Sequence, residues 1–231
     1  MLALLLHLLT APAGYPPELR SVPTTKQVVS IGVNVVWGTE YVPPIVQALK
    51  SQGDKATFFL GGTWAENHPD VARQIRDAGM EIGSHGDRHR HVGSLGITEN
   101  EQEITRAAER IKAATGVTPT LYGPAYGELS PAVHQAAQRQ GVRVVMWSID
   151  TIDWRKSHTP EIIRSRVLTR LQPGAIILMH PTDRTAAALP GLLQELHRRG
   201  YRVVGVHKLL QLAGRAAATN EKRGMQEQRV G

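Results

Sequence analysis

One short stretch of the sequence, GSHGDRHRH (83–91), contains three histidines, one aspartate and two arginines. Its first two histidines, His85 and His89, are four residues apart. If the stretch forms a helical turn, both imidazoles face the same side and can bind one metal ion. Asp87 would then be a further ligand or a group that orients a histidine. The alternative is a solvated basic turn that is rich in histidine.

A second group that could do chemistry lies at the ends of two apolar runs. His180 ends IILMH, a position suited to proton transfer, and Asp150 and Asp153 lie in SIDTIDWR. A carboxylate beside a histidine fixes which ring nitrogen carries the proton, as a general acid requires. The alternatives are a core histidine bonded to the backbone and aspartates that cap the next helix.

The hydrophobic pattern predicts the strands and helices that must position these residues. Strands are predicted at 28–36, 55–60, 80–85, 120–123, 142–149, 175–180 and 201–206, with a helix between most neighbouring pairs. About seven strand–helix repeats with few hairpin signals indicate α/β architecture, either a barrel or a doubly wound sheet. In both, sites collect at the carboxyl ends of parallel strands. Those ends fall at 34–40, 85–91, 123–127, 150–155 and His180.

Local signals give the expected boundaries. Thr98-Glu99-Asn100-Glu101 is predicted to be a capping box that opens a helix, and Ser130 and Thr159 are predicted to begin two others. One folded domain is expected over 27–212, after a Pro- and Thr-rich linker at 14–26. Residues 1–13 have the apolar run of a possible signal peptide, which is too short to span a bilayer, and 213–231 are predicted to be disordered.

Composition narrows the classes of chemistry. The 231 residues include no cysteine, which excludes disulfides, thiolate metal sites and cysteine nucleophiles, so any metal must be held by His, Asp or Glu. The formal net charge of +7 suits an anionic partner. Because the arginines are scattered and no basic stripe is interleaved with aromatics, we expect no nucleic-acid binding.

Five motifs in order carry a resemblance to a known family. They are KATFFLGG (55–62), EIGSHGDRH (81–89), GPAYGELSP (123–131), WSIDTIDWR (147–155) and IILMH (176–180). The series resembles the NodB-homology polysaccharide deacetylases, carbohydrate esterase family 4, over about 27–212. The resemblance implies a distorted (β/α) barrel of about seven parallel strands. It also implies removal of acetyl groups from chitin, peptidoglycan or xylan with a divalent metal, usually zinc.

The resemblance assigns roles residue by residue. His85 and His89 match the family's metal-binding histidines, and His180 matches its general acid. Asp153, which precedes Trp154 in the fourth motif, matches the residue that tunes that acid. Tyr126 matches the tyrosine that helps to hold the oxyanion.

Three positions depart from the family pattern. The first motif, Thr-Phe-Asp-Asp-Gly, supplies the catalytic base and the third metal ligand, but Asn34-Val35-Val36-Trp37-Gly38 stands in its place. Gly123 replaces an arginine that pairs with the base, and Gly86 replaces a Ser or Thr. The segment VNVVWGTEYVP resembles a sporulation-associated branch with a similarly rewritten first motif. Glu40, the nearby carboxylate, is a candidate base or ligand, or alternatively a helix N-terminal glutamate.

These observations leave two functional hypotheses. The first is a metal-dependent hydrolase that deacetylates an N-acetylated polysaccharide such as peptidoglycan or a chito-oligomer, outside the cytoplasm. The second is a catalytically degenerate homologue that binds glycan or a partner protein in a cell-envelope or spore assembly. A basic nucleic-acid-binding domain is a third reading that rests on net charge alone.

Overall fold

The computed structural model of the protein describes residues 18–213, which form alternating strands and helices. The strands are β1 (Val28–Val35), β2 (Thr57–Leu60), β3 (Glu81–Ser84), β4 (Leu121–Tyr122), β5 (Arg143–Val144), β6 (Ile149–Asp150), β7 (Ile176–Met179) and β8 (Arg202–Val203). The helices are α1 (Val42–Ser51), α2 (Gly62–Asn67), α3 (Pro69–Asp77), α4 (Ile97–Thr115), α5 (Pro131–Arg139), α6 (Pro160–Leu168) and α7 (Asp183–Arg198). The predicted signal peptide and, apart from Ala213, the predicted tail lie outside the described residues.

The strands form one parallel sheet that curls into a half-barrel. Their order is β5-β4-β3-β2-β1-β7-β6, and β8 pairs with the first residues of β1. Every strand pair is parallel, as in the register of Val33 with Phe58 and of Ile31 with Ile177. The α/β class and the distorted barrel of about seven parallel strands are therefore confirmed.

Alternate residues of the strands face two different hydrophobic layers, as the two-residue period of a strand requires. Ile31 and Phe58 pack in the large cluster that includes apolar residues of the helices, such as Leu193. Phe59 faces the other way, into a cluster on the concave side of the sheet. A Cβ at Gly83 would lie 2.6 Å from the Phe59 ring, so the absence of a side chain there makes room for that ring.

The N-terminal segment of the described chain covers the open side of the half-barrel. Leu19 forms a parallel bridge with Val145, and Val22 donates its backbone N–H to the carbonyl oxygen of Gly174 at 2.9 Å. The Leu19 and Val22 side chains are buried. The expectation of a linker at 14–26 is therefore wrong for this part, because the edges of the sheet offer unpaired backbone groups that the segment satisfies.

The predicted strand at 142–149 is two strands in the structure. β5 pairs with β4 and β6 pairs with β7, so residues 145–148 cross from one end of the sheet to the other. Along this crossing Met146 donates its N–H to the carbonyl of Leu19, and Ser148 donates to that of Ile176. The apolar run predicted one continuous strand because it cannot show that its partner changes half way along.

Helix starts were predicted with mixed success. The side-chain oxygens of Ser130 and Thr159 accept N–H groups in the first turns of α5 and α6, as predicted. The predicted capping box at 98–101 is wrong, because the N-cap of α4 is Gly96, two residues before Thr98. Glu99 reaches back and accepts the Gly96 N–H at 3.2 Å. The short helix α2 was not predicted.

The contact between Gly174 and Val22 gives a stability prediction. Gly174 has a φ of +77°, and a Cβ there would lie 1.8 Å from the Val22 carbonyl oxygen. Gly141 has a φ of +65° with no atom within 4 Å of such a Cβ. We expect Gly141→Ala to cost about 1–2 kcal/mol of unfolding free energy from backbone strain alone. Gly174→Ala should cost about 2 kcal/mol more, because the terminal segment must be displaced.

Urea unfolding followed by circular dichroism measures both changes. Equal losses in the two variants would mean that the contact of the N-terminal segment with the sheet contributes nothing.

Candidate active site

The residues singled out for chemistry lie at the carboxyl edge of the half-barrel. The loop after β3 contains His85 and His89, and the loop after β4 contains Tyr126. Asp153 follows β6 and His180 follows β7 directly. The parallel sheet brings these loops to one edge, as expected for sites in this architecture.

His85 is buried and held in one orientation. Its Nδ1–H donates to the carbonyl oxygen of Gly123 at 2.7 Å, and its backbone N–H donates to that of Leu60 at 2.8 Å. Burial, followed by the neighbouring His89, lowers the pKa of His85 to about 3. The imidazole is therefore neutral at neutral pH, with its proton on Nδ1 and the lone pair of Nε2 available to a ligand.

His89 lies beside His85, but not through the geometry predicted for it. The two ring centroids are 5.1 Å apart. The expected helical turn is wrong, because residues 85–91 form an irregular loop in which Gly86 and His89 have φ of +80° and +53°. Burial lowers the pKa of His89, so this second imidazole also favours the neutral form.

A buried glutamate that the sequence reasoning missed supports this loop. Glu103 of α4 accepts the backbone N–H groups of Asp87 and Arg88 on one oxygen, at 3.0 and 3.1 Å. The buried Asp87 carboxylate lies 3.3 Å from the guanidinium of Arg110 and 3.6 Å from that of Arg88. Burial raises the pKa of Asp87. Glu103 is 16 residues from Asp87, so no local pattern could have indicated it.

The metal-donor set at this edge consists of two imidazoles. Within residues 18–213, no group of three or more His, Cys, Asp or Glu side chains is arranged to hold a metal ion. Catalytic zinc sites use three protein ligands. Trp37 and Val36 stand where the resemblance places two aspartates. The described residues therefore do not fit a catalytic zinc ion of the usual kind, although the orientation of His85 suits a metal ligand.

The Asp153 carboxylate fixes His180. It accepts the His180 backbone N–H at 2.6 Å, the His180 Nδ1–H at 2.8 Å and the Thr185 hydroxyl at 2.6 Å. The Asp153 side chain is fully buried. This arrangement places the ring proton on Nδ1 and orients the imidazole, which is the geometry that the acid role requires.

Trp37 packs directly on His180. Its ring centroid lies 5.4 Å from that of His180, with 19° between the planes, and the residue remains 44% exposed. The sequence reasoning noted only that an aspartate is missing at this position. The residue type itself is the available signal. A large aromatic residue stands directly after a predicted strand, at the edge where sites collect in this architecture.

Tyr126 is exposed and lies beside His89 and His91. Its ring stacks on His91 with centroids 4.1 Å apart and contacts His89 at 4.3 Å. His91 in turn donates to Glu128 at 2.7 Å. The oxyanion role, which belongs to the backbone of Tyr126, stays a prediction.

Glu40 contacts the backbone of its own turn. One of its oxygens accepts the Thr39 N–H at 3.2 Å, and hydrogen bonds from the backbone of Glu40 and Thr39 lower its pKa. The residue is exposed and precedes α1. Its role as a replacement base stays a prediction, because none of these contacts directs it towards the histidines.

Backbone strain is concentrated at this edge. In the described part of the chain, the residues other than glycine with positive φ are His89, Tyr126 and Ile152. Each lies in a loop that carries a candidate residue. A β-branched residue such as Ile152 rarely adopts this conformation, and strain of this kind collects at functional sites.

The three hydrogen bonds to Asp153 predict a large stability loss when its charge is removed. In Asp153→Asn, an amide NH2 replaces one acceptor oxygen and leaves a buried donor without a partner. We expect a loss of about 2–4 kcal/mol in unfolding free energy. Asp183→Asn is the matched control, since this half-exposed carboxylate pairs only with Arg184 and should cost less than about 1 kcal/mol. Chemical denaturation distinguishes them, and similar losses would contradict a special role for Asp153.

Comparisons with known proteins agree with this architecture. The family model for polysaccharide deacetylase matches residues 21–145, just over half of the chain. Protein YlxY of Bacillus subtilis is 36% identical over 185 residues, which are 80% of this chain and 58% of that protein. A peptidoglycan-N-acetylglucosamine deacetylase of Bacillus cereus is 32% identical over 74% of this chain and 64% of its own length. The chain thus spans less than two thirds of these relatives.

The solved structures with the same fold include a pseudoenzyme. A CE4 family pseudoenzyme from Bacillus anthracis is 34% identical, with a TM-score of 0.82 over 85% of this chain and 70% of that chain. A mutant of the same pseudoenzyme, with restored enzymatic activity, superimposes equally well at a TM-score of 0.82, covering 85% of this chain and 72% of that one. The motif series, the half-barrel and these matches lead to one conclusion: the chain belongs to the polysaccharide deacetylase family, carbohydrate esterase family 4.

Proposed function

We propose that this protein binds N-acetylated cell-wall glycan, such as peptidoglycan or a chito-oligomer, at the carboxyl edge of the half-barrel. It hydrolyses the acetamide C–N bond slowly, because it has the acid half of a deacetylase site without the base half. The observation that carries this proposal is the buried Asp153–His180 pair beside His85 and His89, at an edge where Val36, Trp37 and Gly123 replace two aspartates and an arginine.

The acid half consists of residues that this chain holds rigidly. Asp153 keeps the His180 proton on Nδ1 and orients the ring. Nε2, when protonated, is then the nitrogen that gives a proton to the departing amine as the acetamide C–N bond breaks. The same N–H can donate to a bound acetamide without any reaction, so the pair serves binding as well as hydrolysis.

The missing base limits the rate. Water must lose a proton as it attacks the acetamide carbonyl, and a positioned general base contributes about 10²–10⁴-fold to such a step. Glu40 is the nearby carboxylate in the sequence, but it is bonded to backbone N–H groups of its own turn. The slow hydrolysis that we propose lies between the activity of a peptidoglycan deacetylase and the inactivity of a pseudoenzyme, and both kinds of protein are among the relatives.

The substrate class also bears on location. The names of two relatives specify peptidoglycan deacetylation, and that polymer lies outside the cytoplasm. We therefore propose an extracytoplasmic or cell-envelope location, and a link to sporulation remains part of this proposal. In the described residues, no helix is both long and apolar enough to cross a membrane.

Restoring the first motif tests the activity. We expect the protein as it stands to release acetate from chitotetraose or from peptidoglycan slowly, at a rate only slightly above the uncatalysed background. Val36→Asp combined with Trp37→Asp supplies both carboxylates and should raise acetate release about 100-fold in the presence of zinc. The same pair with His180→Ala is the matched control and should return the rate to background.

Binding measurements distinguish a protein that binds glycan without hydrolysing it from a protein that does neither. Calorimetric titration with chitotetraose should give measurable affinity in the unaltered protein. An unaltered protein with turnover typical of its active relatives would refute the loss of the base half. A protein that neither binds nor hydrolyses any N-acetylated glycan would refute the proposal as a whole.

Metal content provides an independent test of the donor set. We expect the protein, purified without a histidine tag and dialysed against zinc, to retain less than one zinc ion per chain, because two imidazoles make a weak site. His85→Ala should remove this zinc, and Trp37→Asp should raise it towards one per chain. Elemental analysis measures all three, and tight stoichiometric zinc in the unaltered protein would contradict the two-ligand description.

A further inference from the structure

We propose that Trp37 and the cavity beside it form a subsite for one N-acetylhexosamine ring, with the indole as the stacking surface. This inference rests on the proposed glycan binding and specifies where a sugar ring sits. It assigns a binding role to the residue that stands where the family pattern has an aspartate.

The cavity has the size and lining of a small-molecule site. Its volume is about 400 Å³, within the range of about 300–1,000 Å³ typical of ligand pockets. The residues that matter for recognition are Trp37 and His89 on the side of the candidate active site and Thr63, Asn67 and Arg88 on the other sides. An aromatic wall with polar groups around it matches a pyranose ring, which has an apolar C–H face and a rim of hydroxyl and amide groups.

Trp37 is held in place before any ligand binds. It stacks on His180, and the next residue, Gly38, accepts the indole N–H of Trp64 from α2 at 2.8 Å. Trp64 itself is buried, so this bond fixes the Trp37–Gly38 turn to the core. A stacking surface that is already ordered loses little entropy on binding and therefore favours affinity.

The polar side of the cavity is also ordered. The buried Asp87 carboxylate lies close to the guanidinium groups of Arg88 and Arg110. Arg110 is further bonded to Thr63 and Glu66, whereas the Arg88 side chain is 62% exposed. Arg88 and Asn67 line the cavity and carry N–H groups that can donate to the hydroxyl and acetyl oxygens of a sugar.

The position of Trp37 links the subsite to the acid residue. One indole stacks on His180 and also lines the cavity that reaches His89. A sugar on the free face of this indole would lie beside His89, and the indole would separate the sugar from His180. The same substitution that removes a metal ligand thus adds a binding surface, which explains how the site can retain glycan while losing turnover.

Four variants and two ligands test the subsite. The variants are Trp37→Ala, Trp37→Phe, Asn67→Ala and the matched control Trp154→Ala, which removes an indole that is 51% exposed at the same edge but does not line this cavity. Chitotetraose is titrated by calorimetry, with cellotetraose as the ligand that lacks acetamide groups. Thermal unfolding of each variant confirms that it is folded.

We expect Trp37→Ala to weaken chitotetraose binding about tenfold and Trp37→Phe to retain most of it. Asn67→Ala should weaken it measurably, and Trp154→Ala should have a smaller effect than Trp37→Ala. Unchanged affinity in Trp37→Ala or in Asn67→Ala, or a larger loss in Trp154→Ala, would overturn this subsite while leaving the proposed glycan binding intact. Failure of the unaltered protein to bind chitotetraose would instead overturn the proposed function.

Discussion

The structure depends on how the half-barrel is closed. β5 and β6 follow one another in the chain but lie at opposite ends of the sheet, so residues 145–148 must cross its open side. Leu19 pairs with this crossing, and Val22 pairs with Gly174 beside β7. Without these contacts, backbone groups at both ends of the sheet would lack partners. The crossing also packs on the loop that carries Tyr126, since a Cβ at Gly127 would lie 2.6 Å from the Trp147 ring.

The candidate site combines a strongly organised half with a depleted half. Three hydrogen bonds converge on the Asp153 carboxylate, and one carbonyl orients His85. At the end of β1, by contrast, an indole replaces a carboxylate. Physical chemistry assigns different roles to the two halves, since an oriented imidazole can transfer a proton, whereas an indole has no basic or metal-binding atom and offers an aromatic face and one N–H donor. The function that we propose, glycan binding with little hydrolysis, rests on this combination.

Trp37 shows how a single residue type can redirect a site. An aspartate at the end of β1 would face the histidines as an anionic ligand. The indole stacks on His180. It also lines a cavity whose other walls include polar residues. The strain at Ile152, Tyr126 and His89 indicates that the loops around it are held by the fold and are not free to rearrange.

The sequence alone determined the class of fold, the family and the edge of the sheet at which the candidate residues collect. The periods of strands and helices are local properties of the sequence. The five motifs can also be found in the sequence in their usual order. His85, His89, Asp153 and His180 could be named because each follows an apolar run at a position where parallel strands end. The absence of the two aspartates of the first motif could also be read directly from the sequence.

Only the tertiary structure decided which groups meet. The bonds of Glu103 to the 85–91 loop, of Gly123 to His85 and of Leu19 to the crossing at Val145 join residues that are 15 to 126 positions apart. A local pattern cannot encode such contacts, because they depend on how strands from distant segments align. The irregular shape of the 85–91 loop and the stacking of Trp37 on His180 were decided in the same way, by packing between elements and not by the propensity of either segment.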